Sequence, residues 1–164
     1  VMLDLVAELR RRHPMEFIVA SPGDNDWENE LKGLELVRLS MTPDEMADLV
    51  SSCHIGLSVC RDDAGVSLRA AMPTKIGEFL ASGRPVIVNP GLVDAASLLV
   101  RYECGVVFGS SEHREVGEVV DLLEKQLLDP RTPERCRTLA QTHFDLEQGV
   151  DHLVATYRSV NTGS

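Results

Sequence analysis

The sequence predicts an α/β domain built on a parallel sheet, with helices on both of its faces. Two observations carry that prediction. Short β-branched or alternating apolar runs recur along the chain, and segments with helical periodicity separate them. Strands alternating with helices imply parallel pairing through right-handed crossovers. A single domain of 164 residues, spanning 1–164, is large enough to bury a core.

From Met2 to Arg12, apolar residues at Leu3, Leu5, Val6 and Leu9 form a helical stripe. Pro14 ends it, and Met15 to Ala20 reads as the first strand. Ser21 to Asp26 is a loop by composition, and a weak helix is predicted over Trp27 to Lys32. Leu34 to Leu39 alternates as a second strand. Thr42-Pro43-Asp44-Glu45 supplies an N-cap, a first-turn proline and a capping-box glutamate for a helix through about Ser51. Ile55 to Cys60 is the third strand, followed by a loop from Arg61 to Met72.

The stretch from Pro73 to Val88 is the most informative. Pro73 holds Met72 extended and suits a helix start. Gly83 sits where a helix end favours positive φ, and Pro85 forbids continuation. Val86-Ile87-Val88 is the pattern of a strand covered on both faces. Beyond it come a helix over Val93 to Tyr102, a strand over Gly105 to Phe108, and a long helix from Glu112 to Leu128. Helices over Thr132 to His143 and Asp145 to Arg158 precede a tail from Asn161.

Ligands of such sheets bind beyond the carboxyl ends of the strands. There the loops Ser21 to Asp26, Ser40 to Thr42 and Arg61 to Thr74 are expected to gather. Thr74, Lys75 and Glu78 crowd the start of one helix at that edge. Backbone N–H groups, a hydroxyl, an ammonium and a carboxylate at a positive helix end suit a phosphorylated ligand. The plainer readings are an i,i+3 ion pair between Lys75 and Glu78 and a simple N-cap at Thr74.

Composition narrows the rest. The formal net charge of −10 argues against nucleic acid, whose phosphates attract clustered cations. Arg10-Arg11-Arg12 is the one dense basic run, at a helix end that favours cations anyway. Its rival reading is a phosphate or lipid patch. Cys53, Cys60, Cys104 and Cys136 lack metal-finger spacing and read as small core residues in a reducing compartment. The five histidines form no metal or triad motif, so neither metal binding nor a hydrolytic triad is expected. No apolar run reaches the ~20 residues of a membrane span. The chain opens in mid-pattern on Val1 with no signal-peptide features, which reads as a piece of a longer polypeptide.

Several segments in order, "ASPGD", "TPDEMADLVSSCHIGLSV", "PTKIGEFLASGRPVIVNPG" and "ECGVV", followed by a long helix ending "LLDP", carry a resemblance over nearly the whole chain. It resembles the C-terminal half of retaining, nucleotide-sugar-dependent glycosyltransferases, the group 1 or family 4 enzymes with two Rossmann-like domains (the GT-B architecture). Many members carry two glutamates eight positions apart. Glu78 matches the second, but Ala70 stands at the first. The chain is closer to the subgroup reading P-x-K-x-x-E-(F/Y)-x-A-x-G, in which Lys75 would face the diphosphate. No counterpart of the family's N-terminal domain, of its phosphate-binding basic pair or of an acceptor pocket is recognisable.

The resemblance implies a Rossmann-like, nucleotide-sugar-binding domain of a glycosyltransferase, with no cofactor, no metal and no catalytic residue of its own. Its partners would be a nucleotide diphosphate sugar and an N-terminal domain, toward which the last helix would return. Lys75 and the amides after Pro73 would hold the leaving diphosphate, and Glu78 the ribose diol. Arg69 and Ser67 would face the sugar and phosphates, with loop solvation as their alternative. Ser40 and Met41 would contact the base. The expected setting is cytoplasmic, either free or at the inner face of a membrane. Three other readings stand beside it: a nucleotide-sugar epimerase of the same architecture, a non-catalytic nucleotide-binding module, and a phosphoacceptor-type α/β signalling domain, for which Asp24 with Asp26 is a poor match to the clustered aspartates it needs.

Overall fold

The computed structural model describes residues 2–20, 36–39, 41–60, 66–69, 71–109 and 115–161. Its elements alternate: α1 (Met2–Arg12), β1 (Phe17–Ala20), β2 (Leu36–Leu39), α2 (Pro43–Ser52), β3 (Gly56–Ser58), α3 (Val66–Arg69), α4 (Thr74–Ala81), β4 (Val86–Val88), α5 (Val93–Arg101), β5 (Gly105–Val107), α6 (Val116–Leu128), α7 (Thr132–His143) and α8 (Leu146–Asn161). Every strand pair is parallel. Among the described residues the strands form two sheets and not the single one expected. There β1 pairs only with β2, and β3-β4-β5 form a separate ladder. Apolar runs report burial, whereas a ladder needs paired backbone, so Met15 and Glu16 fall outside β1.

Residues of β4 alternate between two cores. Val86 and Val88, with Val107 of β5, meet Ile76 and Leu80 of α4, Ala95 and Leu99 of α5, and Cys136, Leu139 and Ala140 of α7. Ile87 and Val106 face the opposite way, onto Leu5 and Leu9 of α1 and Val119, Val120 and Leu123 of α6. Helices therefore cover both faces of this sheet, as the unbroken β-branched run predicts. Close approaches set the spacing. A Cβ on Gly56 would strike the Phe79 ring, and one on Gly105 the Val86 carbonyl.

The predicted capping box is present. Thr42 N–H donates to Glu45 Oε2 at 2.8 Å, and Glu45 N–H donates to Thr42 Oγ1 at 3.4 Å. Several boundaries differ from expectation; β3 and β5, for instance, are shorter than the predicted Ile55 to Cys60 and Gly105 to Phe108. Residues 66–69 make one helical turn inside the predicted loop, pinned by buried Leu68; a single turn is too short to leave a periodic signature. Glu115 caps α6, which opens at Val116 rather than Glu112. Asp145 lies outside α8 as a cap, its carboxylate accepting from Gln148 N–H at 2.8 Å, and α8 runs on to Asn161. Tyr102 is a cap beyond α5. The loop over Ser21 to Asp26 and the weak helix over Trp27 to Lys32 lie outside the described residues.

Two helices end alike. At α4, Arg84 N–H reaches Phe79 O and Gly83 N–H reaches Leu80 O, a Schellman motif with Gly83 at φ 77°. At α5, Cys104 N–H reaches Leu99 O and Glu103 N–H reaches Val100 O, with Glu103 at φ 52° where glycine is favoured. Two residues of the basic run, Arg11 and Arg12, enter ion pairs. Arg11 binds Glu8, while Arg12 binds Glu8, Asp121 and Glu124 and so fastens α1 to α6. His13 adds a 2.8 Å contact to Glu124.

Opposite substitutions at the two helix ends have opposite expected outcomes in thermal unfolding. Gly83→Ala loses about 1–2 kcal/mol by forcing a side chain into the left-handed region. Its Cβ would also sit 2.9 Å from the Arg137 guanidinium. Glu103→Gly gains about 0.5 kcal/mol, since relief of backbone strain exceeds the added freedom of the unfolded chain. The clamp gives a second test. Hydrogen bonds from Arg11 and then Arg12 hold the Glu8 carboxyl at about 2, below its ordinary 4.5. A carboxylate depressed in this way contributes stability that is full above its unfolded pKa and is lost as pH falls through the folded one. Between pH 4.5 and 2 the Tm of the native chain should fall more steeply than that of Glu8→Gln. Parallel curves would show the clamp to be idle.

Candidate functional site

Helix α4 is anchored on three sides. Ile76 and Leu80 are fully buried against the sheet. Phe79 lies over Gly56, and Gly77 faces the Phe144 ring at the junction of α7 and α8. The remaining side carries Thr74, Lys75 and Glu78, all exposed. Thr74 and Glu78 are four apart and Lys75 and Glu78 three apart, so the three share one stripe of the helix.

The start of α4 is open. Pro73 is the N-cap and makes no side-chain capping bond; Thr74 is therefore the first helical residue and not the cap. Ile76 N–H bonds Pro73 O at 3.0 Å, and the amides of Thr74 and Lys75 precede any helical acceptor. The charge pattern is distinctive. Every other described helix of eight or more residues has an acid in its first turn: Asp4, Asp44 with Glu45, Asp94, Glu118, Glu134 and Glu147 respectively. The first turn of α4 has none and carries Lys75 instead. Among the described residues neither Lys75 nor Glu78 enters an ion pair, so the i,i+3 pair is not formed.

The strand–helix–strand order puts this start beyond the carboxyl end of β3, beside that of β4. Arg69, the last residue of α3, is exposed five residues upstream, and Ser67 belongs to the same turn. Met41 is half-buried just ahead of the Thr42 cap of α2. Ser40 lies outside the described residues. Thr74, Lys75 and Glu78 are thus brought together; Arg69 and Ser67 stand on α3, earlier in the same connection, and Met41 on the one between β2 and α2. No group of three or more histidine, cysteine, aspartate or glutamate side chains among the described residues could hold a metal ion.

Sequence reasoning did not single out Asn89 or Ser58. Asn89 is only 3% exposed, and its Oδ1 accepts from Cys60 N–H at 3.0 Å, tying the end of β3 to that of β4. The signal was the Asn-Pro-Gly triplet closing the buried strand. Ser58, in register with Val88, is fully buried with its Oγ unbonded. Open amides, a lysine and a carboxylate can bind an anion bearing hydroxyls.

No protein-family model matches this chain, and no curated protein sequence matches it.

The two buried polar residues behind the site should respond in opposite directions to denaturant. Asn89→Ala strands the Cys60 amide and lowers stability by about 1–3 kcal/mol. Ser58→Ala removes a hydroxyl that has no partner, and is neutral or stabilising by about 1 kcal/mol. A loss at Ser58 comparable to that at Asn89 would mean that its hydroxyl is bonded.

Proposed function

We propose that this chain is the donor-binding domain of a retaining glycosyltransferase of the GT-B kind, in which a nucleotide diphosphate sugar lies across the start of α4. The observation carrying this reading is the open, acid-free first turn of α4, with Lys75 unpaired among the described residues. As the glycosidic bond breaks, negative charge grows on the departing diphosphate. The amides of Thr74 and Lys75 and the Lys75 ammonium stabilise it without a metal. Glu78 accepts hydrogen bonds from the ribose diol, and the Thr74 hydroxyl adds one to a phosphate oxygen. Arg69 approaches the sugar side, and Met41 the base.

Acceptor binding belongs to a second domain in this reading, and α8 is the element that meets it. Leu146, Val150, Leu153, Tyr157 and Val160 follow one another at spacings of four, three, four and three, and all are exposed. Such a stripe is the pattern of a helix seam seeking a partner. Alone, the domain binds nucleotide weakly and transfers nothing.

Titration of the chain with UDP, GDP, ADP and CMP, followed by amide NMR, tests this. Shifts should cluster at Thr74 to Glu78 and select one base. Lys75→Ala removes one charge-assisted hydrogen bond, worth roughly 1.5–3 kcal/mol, and weakens affinity about ten- to a hundredfold. Binding that leaves α4 unshifted, or sugar transfer by the chain alone, would overturn the assignment.

A further inference from the structure

Helix α8 stands apart from the two cores. Each of its residues from Leu146 to Val160 is exposed, and none belongs to either core cluster of the described residues. Its start is held to α7 by the Gln148 side chain, which donates to Gln141 O at 3.3 Å. A Cβ added at Gly149 would meet nothing within 4 Å. A free helix of sixteen residues is marginal in water, and Gly149 and three valines weaken it further. The exposed stripe of Leu146, Val150, Leu153, Tyr157 and Val160 is therefore a face that needs covering.

We propose that a second copy of this chain covers it, through antiparallel two-fold pairing of α8 with α8. The residues round the helix are self-complementary about one point. At about 100° per residue, Glu147 and Arg158 flank the stripe on one side, and Gly149 and Thr156 on the other. Both pairs are centred between His152 and Leu153, and the stripe itself is centred on Leu153. One two-fold axis there sets Glu147 beside the partner's Arg158, and Gly149 beside the partner's Thr156. Thr156 turns its hydroxyl back to His152 O at 2.8 Å, so this flank is slim enough for close approach. Opposed helix dipoles favour the same arrangement. A parallel pair would instead set Glu147 against its own copy, and likewise Arg158. Contact of this isologous kind closes at two chains.

A bilayer is the weaker occupant. The polar side of α8 carries two carboxylates, Glu147 and Asp151, against one guanidinium, Arg158, the reverse of the basic face that anionic lipid selects. Spacings of four and three residues are those of a seam between helices. The seam spans only about two heptads, so the pairing is weak and grows with concentration. It is independent of the donor-site reading, and a second domain bearing on α8 would have to displace the other copy.

Sedimentation velocity of this chain over a wide range of concentration provides the test. The mass should rise from one chain to two and stop there, with far-UV helicity rising in step. Leu153→Asp removes two buried leucines per dimer and should weaken association at least about a hundredfold. Because Leu153 lies outside both cores, the Tm of the dilute chain should not change. Glu147→Lys and Arg158→Glu should each weaken association, and the two together should restore it; a parallel pair would respond to neither single change. A chain that stays single at every concentration would reserve the stripe for a second domain and overturn the proposal. So would association that survives Leu153→Asp, assembly beyond two chains, indifference to the single charge changes, or partition into phosphatidylcholine vesicles in preference to self-association.

Discussion

The rest of the structure depends on the burial of β4 from both sides. Three residues, Val86, Ile87 and Val88, contribute to two cores because successive strand side chains point to opposite faces. Each such side chain, fully buried, is worth roughly 1.5–3 kcal/mol. The strand is short, so its ladders to β3 and β5 stand only because α4, α5 and α7 press on one face and α1 and α6 on the other. That arrangement positions the candidate site. Parallel strands each need a crossover, and the crossover from β3 to β4 must begin its helix beyond the carboxyl edge. The start of α4 lies there as a consequence of topology, before any question of ligand arises.

Openness at that start has a physical cost, and α2 shows the alternative. Thr42 and Glu45 satisfy two of the orphan amides of α2 reciprocally, and the bonds Glu45 accepts lower its carboxyl. Pro73 can provide neither a side-chain acceptor nor an N–H, so α4 forgoes about 1 kcal/mol of capping stabilisation. Packing compensates elsewhere on the same helix: two fully buried residues, an aromatic ring seated on Gly56, and a Schellman end at Gly83. A helix so firmly held can leave its first amides to water or to a ligand. The uncapped end is then a stable feature and not a frayed one.

What the sequence made legible followed how local the cause was. The capping box at Thr42 and Glu45, the glycine stop at Gly83 and the buried run at Val86 to Val88 are each dictated by neighbours within a few residues, and each stands where it was read. Less legible was anything decided across the fold. The turn at residues 66–69 exists because Leu68 finds a core supplied by other segments. Asn89 reads as loop punctuation until β3 and β4 are side by side, and only then does its bond to Cys60 acquire meaning. Arg10 to Arg12 showed the same limit. The partners Asp121 and Glu124 of Arg12 are more than a hundred residues away, so the run could not be recognised as a clamp from its own spacing. At the site, the stripe of Thr74, Lys75 and Glu78 was visible in the sequence, but the absence of an ion pair within it was not.

Electrostatics bears on why such a site would bind weakly in this chain alone. With a net charge of −10, the molecule as a whole repels an anion at long range. Salt shortens that repulsion to about 8 Å at physiological ionic strength, so what remains near α4 is local: two amides and one ammonium facing water. A phosphate oxygen 4 Å from Lys75 gains only about 1 kcal/mol at the dielectric of bulk water, and about 4 kcal/mol where the effective dielectric falls to 20. In the proposed reading, the same residues would therefore hold a diphosphate far better once a second surface excluded solvent from them. The exposed seam of α8 offers a place for such a surface to attach without disturbing either core, because none of its apolar residues belongs to them. In the proposed reading, binding strength and domain closure are a single physical problem: α4 would supply the charges, and a covering second domain the low dielectric that makes them effective.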